Sequence, residues 1–526
     1  MQENILKLFI EKGFLLDKEM LDFLNELGDN EIASEILNKI AVVAQKKIIT
    51  KTLVNENIEK IKSLLNLDSD KKKIVDKYFI NVSVSVEVKK ERSIEDKETI
   101  KIDSNKIKIL SSPIIASQKI EVKDFVKYFR NRYNFLRKLL QDRIELDNLI
   151  SIDKINKGRF SIIGIVNNKT ITKNRNVFLE VEDLTGKTSL LISQNKEELY
   201  AKSKEILLDD VIGFKCSGTK DFIFVEDFFY PDCFLKDRKK TKDDVYVLFI
   251  SDIHVGSNNF LEKNFNRFID WLNGNDNLDK IKYLFVVGDT IDGVGVYPGQ
   301  EKNLEIKDIV KQYEKLAEFY KKIPKHINII QCAGQHDAVR IAEPQPPIKD
   351  FAEPLYKIDN LYLVSNPSLV EVENGNCLVN GNETKEGIKV LMYHGASMHG
   401  IINEIEGLRL SNAHSTPARV VKHLLLRRHL SPSHGLTTYI PANEDFMLIK
   451  EIPDIITTGD LHRTDIDSYN NVLIISNSCW QSITAFEEKM GNIPDPCKVP
   501  LLNLRTREIK ILDFSEDVFY ENENRN

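Results

Sequence analysis

The sequence lacks the features of a membrane-spanning, secreted or strongly cationic protein. No apolar run approaches the roughly 18 residues that a membrane span requires, and the N-terminal stretch MQENILKLFIEKG is too charged for a signal peptide. The net charge is −6, so the chain as a whole is no polycation. Any binding to nucleic acid must therefore come from local basic patches or from a partner.

Paired cysteines are also missing. The six cysteines are scattered and none belongs to a C-x-x-C pair, which argues against a zinc ribbon and against a disulfide framework. This cysteine usage fits a reducing cytoplasm, which is the predicted location. At 526 residues the chain is too long for one core, and its hydrophobic content of 42% allows two or three well-filled domains.

What the sequence does contain is an apolar stretch that ends abruptly in metal-ligand residues. Residues 245–256 read VYVLFISDIHVG, with Asp252 and His254 two positions apart. On an extended backbone such side chains share a face, and the carboxyl ends of strands are where open α/β sheets carry their chemistry. Taken alone, the stretch is equally well explained as a core strand that ends in a polar turn.

Four further apolar stretches end in the same way, which favours a site over a coincidence. They are residues 281–287 before Asp289 and Asp292, 327–333 before Gln335, His336 and Asp337, 390–393 before His394, and 455–458 before Asp460 and His462. Carboxylates and imidazoles in such numbers suit two divalent cations. A pair of cations about 3.5–4 Å apart can clamp the attacking and leaving oxygens of a phosphodiester and acidify a bridging water.

The order of these motifs, Asp-x-His, Gly-Asp-x-x-Asp, Gly-x-His-Asp, His-Gly and Gly-x-x-His, resembles that of the calcineurin-like metallophosphoesterases. The resemblance implies a four-layer α/β sandwich with a two-metal centre. It assigns Asp252, His254 and His462 to the first metal, Asp289 to a bridge between the metals, and Gln335, His394 and Asp460 to the second metal. It also implies that His336 lies beside the scissile phosphate and that Asp337 orients it.

Two positions depart from that family, and both belong to the second metal. Gln335 stands where the family has Asn, and Asp460 stands where it has His. The added carboxylate makes the site harder and more negative, so we expect Mn or Mg rather than Zn or Fe. We also expect Gly334 to let the loop retreat, because glycine adopts backbone angles that other residues avoid, and so to accommodate the longer Gln335.

A narrower resemblance covers most of residues 157–514. The stretch GQHDAVRIAEPQPP at residues 334–347 and the stretch beginning TTGDLHRTDIDSYNNVLIISNSCWQ at residue 457 resemble the small subunits of archaeal family-D DNA polymerases. That resemblance implies a proofreading 3′-to-5′ exonuclease that acts on single-stranded 3′ ends. It also implies a heterodimer with a separate, larger catalytic polymerase subunit.

The first third of the chain is predicted to hold a small domain and a tether. Residues 1–66 carry apolar positions at helical spacing and predict an N-terminal helical domain. Its first residues also resemble a sliding-clamp-binding peptide, although a plain amphipathic helix explains them more simply. Residues 67–121 are rich in charge and poor in aromatics, which predicts a flexible tether in which short alternating pieces are still able to pair as a strand.

A helix and a barrel are predicted next. Residues 122–150 form a helix whose aromatic stripe, mixed with arginines, favours docking on the next domain over binding nucleic acid. Residues 155–235 give five strands with a helix between the third and fourth, the order of an OB-fold. Such a barrel binds either single strands or protein, and both remain open. The phosphoesterase domain is predicted over residues 245–515.

Within that domain a basic helix at residues 417–435 is a candidate contact for the DNA backbone or for a partner, with a solvated face as the alternative. The arginines predicted to contact DNA are Arg340, Arg427 and Arg428. Four other histidines have no strand-end setting and are left out of the predicted metal site; these are His399, His414, His423 and His434. Two rival functions remain, a catalytically impaired architectural subunit and a free-standing phosphoesterase.

Overall fold

The computed structural model describes residues 15–16, 48–49, 106–115, 119–274, 278–490 and 492–515. The chain divides into two compact units, residues 1–100 and 101–526. In the first unit, strands β1 (Leu15–Leu16) and β2 (Ile48–Ile49) pair in parallel. The rest of the predicted helical domain, the clamp-binding pattern and most of the tether lie outside the described residues.

A closed barrel follows in the second unit. Its strands are β4 (Gly158–Ile171), β5 (Val177–Glu182), β6 (Lys187–Ile192), β7 (Val211–Gly218) and β8 (Ile223–Phe229), arranged in the order β4-β5-β6-β8-β7. Helix α2 (Glu197–Ser203) lies between β6 and β7, where the sequence predicts it. Alternate side chains such as Leu179, Val181, Leu190 and Ile192 point inward and are fully buried, because one face of each strand lines the core.

Helix α1 (Val122–Gln141) precedes the barrel and docks on the rest of the unit. The Tyr133 hydroxyl donates to the Ile163 carbonyl of the barrel at 3.0 Å, and Arg132 Nε donates to Asp445 Oδ2 at 2.8 Å. These contacts confirm the docking interpretation. The helix ends about two turns before the predicted residue 150, and Ile144 is 93% exposed, so a continued helix would bury little there.

The C-terminal part of the chain is built on two six-stranded sheets. The strands of the first are β10 (Tyr246–Ile250), β11 (Ile281–Val287), β12 (Asn328–Cys332), β13 (Leu361–Leu363), β21 (Lys498–Asn503) and β22 (Ile509–Asp513). They have the order β13-β12-β11-β10-β21-β22, and β10 to β13 run parallel.

The strands of the second sheet are β3 (Ile107–Ser111), β14 (Ser368–Val372), β17 (Ile388–Met392), β18 (Ile455–Thr458), β19 (Asp465–Tyr469) and β20 (Val472–Ser476). They have the order β19-β20-β18-β17-β14-β3, and β17, β18 and β20 run parallel. A separate small sheet joins β9 (Lys240–Thr241), β15 (Cys377–Val379) and β16 (Asn382–Thr384).

The two sheets face each other across an apolar layer, and helices cover their outer faces. Phe249 and Phe285 of the first sheet lie in one buried cluster with Val390 and Ile455 of the second. Helices α3 (Glu262–Asn273) and α4 (Ile309–Lys322) pack against the first sheet. Helices α5 (Met398–Glu404), α6 (Glu406–Leu410) and α7 (Pro417–Arg427) pack against the second. The result is the predicted four-layer α/β sandwich.

Strand β3 corrects one boundary. It lies within the predicted tether, yet it pairs antiparallel with β14 as the outermost strand of the second sheet. Part of the charged segment is therefore a strand of the sandwich. Among the described residues all six cysteines are buried and unpaired, and no helix has the length and apolar character needed to cross a membrane.

Candidate metal centre

The predicted ligands lie at one edge of the sandwich, at the carboxyl ends of strands from both sheets. Strands β10, β11 and β12 supply them from the first sheet, and β17 and β18 supply them from the second. Because the sheets stack face to face, these strand ends meet. Short loops after the strands then carry the side chains into a common space.

Five of these residues have left-handed backbone conformations. Their φ angles are 51° at Asp252, 54° at His254, 48° at Asp289, 67° at Asp460 and 53° at His462. Positive φ is uncommon outside glycine, although Asp and His adopt it more readily than most, and such strain concentrates at functional sites. Asp252 and His254 are therefore not on an extended backbone, as the sequence predicts, and the predicted geometry is wrong. Tight turns bring their side chains together instead.

The first candidate metal group consists of Asp252, His254 and His462, all buried or nearly so. The Nε2 atoms of the two histidines are 3.3 Å apart. His462 Nε2 lies 3.4 Å from Asp252 Oδ1. Atoms at these separations fit around a single cation, because protein ligands bind most transition metals at about 2.0–2.2 Å.

A second candidate group consists of Asp252, Asp289 and His394. His394 Nε2 lies 3.2 Å from Asp289 Oδ2 and 3.8 Å from Asp252 Oδ1. Asp252 thus belongs to both groups, whereas the family resemblance gives the bridge to Asp289. The bridging role of Asp289 stays a prediction, and Asp252 lies in a position to share it.

Hydrogen bonds fix the orientation of all three imidazoles. The Nδ1 atom of His254 lies 3.1 Å from Asp292 Oδ1, and that of His462 lies 2.8 Å from Glu487 Oε1. His394 Nδ1 lies 2.7 Å from the Val287 carbonyl oxygen. Each Nε2 is thereby turned toward the carboxylates. Metal-binding histidines are commonly held in this way by an acceptor on the other ring nitrogen.

Gln335 and Asp460, the two residues that depart from the family, touch each other. Gln335 Nε2 donates to Asp460 Oδ1 at 3.1 Å. Oε1 of Gln335, Oδ2 of Asp460 and Nε2 of His394 are buried without a hydrogen-bond partner among the described residues. Unpartnered buried polar atoms are costly. Three of them on residues of one predicted ligand set fit a divalent cation that completes their coordination.

Gly334 serves this loop differently from the prediction. Its φ is not positive, so conformational freedom is not the reason for glycine here. A Cβ at this position would instead lie 2.2 Å from Asp289 Oδ1. Any residue other than glycine would therefore displace the Asp289 carboxylate. Glycine therefore allows the Gln335 loop to approach Asp289 closely.

His336 forms a third candidate group with His254 and Asp292, beside the first two, and Asp337 does not orient it. The His336 backbone N–H donates to Asp289 Oδ1 at 2.8 Å, and its Nδ1 lies 2.7 Å from the Asp292 carbonyl oxygen. The Asp337 carboxylate accepts from Thr290 Oγ1 at 2.6 Å and from the Gly334 backbone at 2.9 Å. The predicted role of Asp337 is therefore wrong, because its carboxylate joins the two neighbouring loops instead.

The pKa values describe a strongly negative centre. Burial lowers the pKa of His394, but Asp289 and Asp252 raise it more, so it lies well above its usual range. Burial raises the pKa of Asp289, yet the neighbouring His394 and His336 lower it more, so it lies well below its usual range. Such a field stabilises positive charge at this point, which is the electrostatic requirement of a cation site.

Sequence reasoning missed Glu487, His399 and His414 around the centre, and it gave no role to Asp292, which it names only as a carboxylate after a strand. Asp292 and Glu487 hold ligand histidines, as described above. His399 Nε2 lies 3.5 Å from Asp460 Oδ2, and His399 Nδ1 lies 3.3 Å from His414 Nε2. Both histidines lie outside the predicted metal site because neither stands at the end of an apolar stretch. The position of His399, five residues after His394, is the only signal that the sequence offers for it.

The arginines predicted to contact DNA are engaged within the protein. Arg427 is 2% exposed, and its Nε donates to Asp210 Oδ1 at 2.9 Å. Arg428 is also buried and donates to the Ile449 carbonyl at 2.8 Å. Both DNA-contact predictions are wrong, because these side chains tie α7 to its neighbours. Arg340 is half-buried, and its guanidinium donates to backbone carbonyl oxygens.

Comparisons with known proteins find sequence similarity to subunits of DNA polymerases. The model of the family of B subunits of DNA polymerases alpha and epsilon matches residues 247–466. A DNA polymerase II small subunit from Archaeoglobus fulgidus is 31% identical over 522 residues, which cover 98% of both chains. One from Methanothermobacter thermautotrophicus is 36% identical over 406 residues, covering 75% of this chain and 80% of that one.

Two further similarities have narrower coverage. A DNA polymerase II small subunit from Pyrococcus furiosus is 36% identical over 413 residues, but the match spans only 64% of its length. Among solved structures, an archaeal phosphodiesterase is 13% identical with a TM-score of 0.25, covering 51% of this chain and 99% of that one. That score is too low to support a conclusion about this chain.

Proposed function

Because the chain belongs to the family of archaeal DNA polymerase II small subunits, we propose that it is the small subunit of a two-subunit replicative DNA polymerase and carries a two-metal 3′-to-5′ exonuclease. The substrate in this proposal is the 3′ end of single-stranded DNA. The partner is a larger catalytic polymerase subunit. The sliding clamp is a further candidate partner through the N-terminal segment.

The orientation of the three imidazoles is the observation that carries this proposal. An architectural protein has no need to turn the Nε2 atoms of His254, His394 and His462 toward buried carboxylates. Such an arrangement brings the carboxylates of Asp252 and Asp289 together and leaves Gln335 Oε1 buried without a hydrogen-bond partner among the described residues, both of which cost stability. A pair of bound cations offsets that cost. The arrangement therefore favours an enzyme over the architectural alternative.

In the proposed reaction the residues of this chain bind the cations, orient the DNA end and exchange protons with it. Asp252, His254 and His462 would hold one cation, Gln335, His394 and Asp460 would hold the other, and Asp289 would contribute to both. When bound, divalent cations act as Lewis acids and lower the pKa of water. Mn or Mg is favoured over Zn or Fe because carboxylate and amide oxygens dominate the second position.

His336 acts on the substrate in this scheme. Its Nδ1 is engaged by the Asp292 carbonyl, and no described residue forms a hydrogen bond with its Nε2. The acceptor at Nδ1 fixes a proton on that nitrogen in the neutral ring, while a charged ring carries protons on both. Only the charged ring has an N–H at Nε2, and in that form it stabilises the departing 3′ oxygen or donates its Nε2 proton to it.

A nuclease assay with a matched inactive variant tests the proposal. The full chain, alone and co-expressed with its large subunit, is given a 3′-labelled single-stranded oligonucleotide with manganese. We expect release of the 3′-terminal nucleotides, and we expect chelation of the metal to abolish it. Asp289→Asn should also abolish the release while the variant still binds the large subunit. A wild-type complex that binds two cations but releases no nucleotide would establish the architectural alternative. Hydrolysis without any association with a large subunit would instead favour a free-standing phosphoesterase.

A further inference from the structure

An aromatic side chain lies at the edge of the metal centre without a role in the scheme above. Tyr297 is 41% exposed, and nearby in the chain Val294 is 45% exposed. The Tyr297 ring centroid is 6.4 Å from that of His336, with an interplanar angle of 65°. The His336 ring in turn lies 4.8 Å from that of His254. An unbroken series of rings therefore leads from a predicted metal ligand to the protein surface.

The loop that carries Tyr297 is fixed to the centre by hydrogen bonds. Gln300 is fully buried; its Nε2 donates to the Asp292 carbonyl at 2.8 Å, and its Oε1 accepts from the Val296 backbone at 2.8 Å. Asn303 Nδ2 donates to the Tyr297 hydroxyl at 3.1 Å. Because Asp292 also holds His254, the Tyr297 ring keeps a defined position relative to the metal centre.

We propose that Tyr297 is the stacking platform for the 3′-terminal base of single-stranded DNA. This inference rests on the proposed exonuclease and adds the residue that recognises the end. Each base has an aromatic face, so stacking on a tyrosine holds a strand end without selecting a sequence. A terminal nucleotide whose phosphate lies at the metal centre reaches past His336 toward this ring. A base-paired end has its terminal base stacked in the duplex, so the platform favours unpaired ends.

Two oligonucleotides of the same sequence test the platform, one with a normal 3′-terminal nucleotide and one with an abasic 3′-terminal residue. The full chain loaded with manganese should prefer the normal end. In Tyr297→Ala the ratio of kcat/KM for the two ends should fall by about 5- to 150-fold toward unity, because stacking of one base contributes about 1–3 kcal/mol. Tyr297→Phe should keep the preference, since the ring is retained. Tyr356→Ala is the control, because Tyr356 is a 50% exposed tyrosine whose hydroxyl also makes one hydrogen bond.

A binding measurement decides the same question without turnover. A 3′-terminal 2-aminopurine loses fluorescence when it stacks on an aromatic ring. In the Asp289→Asn background, where the DNA stays intact, we expect quenching that Tyr297→Ala removes and Tyr297→Phe retains. Equal quenching with and without the ring, or an unchanged preference for the normal end, overturns the platform. If the wild type cleaves neither DNA, the exonuclease proposal fails, and the 2-aminopurine experiment still decides the role of Tyr297.

Discussion

The side-chain amide of Gln335 donates a hydrogen bond to the carboxylate of Asp460 across 3.1 Å. Gln335 Oε1 is buried without a hydrogen bond to any described residue, and Asp460 Oδ2 has only the ion-pair contact with His399 Nε2 at 3.5 Å. The two residues come from different sheets of the sandwich, one after β12 and one after β18. They are also the two positions that depart from the wider phosphoesterase pattern. Their contact makes a coupled pair of substitutions the simplest explanation of both departures.

We therefore expect the pair to respond non-additively to substitution. In Gln335→Asn the shorter amide no longer reaches Asp460, and in Asp460→His the acceptor for Gln335 is lost. Each single change should raise manganese affinity and turnover less than the double change does, with a coupling energy of about 0.5–3 kcal/mol. Calorimetric titration with manganese and single-turnover kinetics on all four proteins measure this. If the changes in manganese affinity and turnover of the two single variants add up to those of the double variant, the contact between Gln335 and Asp460 does not affect function.

His336→Ala should lower turnover by about 10²–10⁴-fold while both cations stay bound. The physical reason is that the ring is anchored by Nδ1 to the Asp292 carbonyl and offers only Nε2 to the substrate. Metal content by atomic emission and turnover on a single-stranded oligonucleotide are measured on the same sample. Loss of one equivalent of metal would show that His336 is a ligand.

Asp337→Asn provides the contrast to that variant. Its carboxylate accepts hydrogen bonds from the Thr290 hydroxyl and from the Gly334 backbone N–H. In Asp337→Asn the side-chain NH₂ group faces one of these donors, and that hydrogen bond is lost. We expect the free energy of unfolding to fall by about 1–3 kcal/mol, with turnover of the folded fraction reduced far less than in His336→Ala. Thermal unfolding and kinetics at low temperature separate the two effects.

His399 is expected to position Asp460 through its Nε2. Removal of the ring in His399→Ala should weaken manganese affinity at one of the two positions by about 10- to 100-fold, because residues that hold a metal ligand affect affinity on that scale. His399→Gln, which restores a donor, should recover part of the loss, and His414→Ala should have the smaller effect of a more distant residue. Electron paramagnetic resonance of bound manganese is the readout. Two unaltered affinities in His399→Ala would contradict this role.

Acidification should destabilise the protein through His423. The neutral ring accepts an N–H from Arg427 at 3.1 Å, and burial together with Arg427 lowers the pKa of His423 to about 3. The unfolded chain has the ordinary pKa near 6.5, so it binds the proton that the folded chain refuses, and stability falls as pH drops below about 6.5. At pH 5 this proton uptake lowers the free energy of unfolding by about 2 kcal/mol relative to pH 7.

The variant His423→Gln keeps an acceptor for Arg427 and has no proton to gain. Denaturant unfolding at pH 7 and pH 5 should therefore show a smaller loss of stability in this variant than in the wild type. His326→Gln, which replaces an exposed histidine, is the matched control. Equal losses in the wild type and in His423→Gln would mean that the ring accepts a proton in the folded state.

The sequence was sufficient for those features that depend on local pattern. Apolar stretches bounded by ligand residues predicted strands β10, β11, β12, β17 and β18 and the order in which their loops meet. The five barrel strands and the helix between them followed from alternation and turn residues. These features are predictable because strand length, face and termination are encoded within a few residues.

Features that depend on distant partners were not predictable in the same way. The sequence of a basic helix is the same whether Arg427 faces solvent or Asp210. Only the fold brings Asp210 into contact with Arg427. Asp337 follows His336 directly, yet its hydrogen-bond partner Thr290 lies 47 residues away in the chain. The positive φ angles of Asp252 and His254 have no signature in residue spacing, so the correct neighbours were obtained from an incorrect geometry.

Strand β3 has a consequence for any shortened version of the chain. Ser112, at the end of this strand, bonds to Ser365 beside β14, and the two residues are 253 positions apart. A protein that began at the barrel or at β10 would leave the long edge of β14 unpaired, with its backbone donors and acceptors open to a strand from another molecule. We expect such a fragment to aggregate even though every predicted ligand is present. The smallest fragment that stays monomeric should begin before residue 107, ahead of the helix and the barrel.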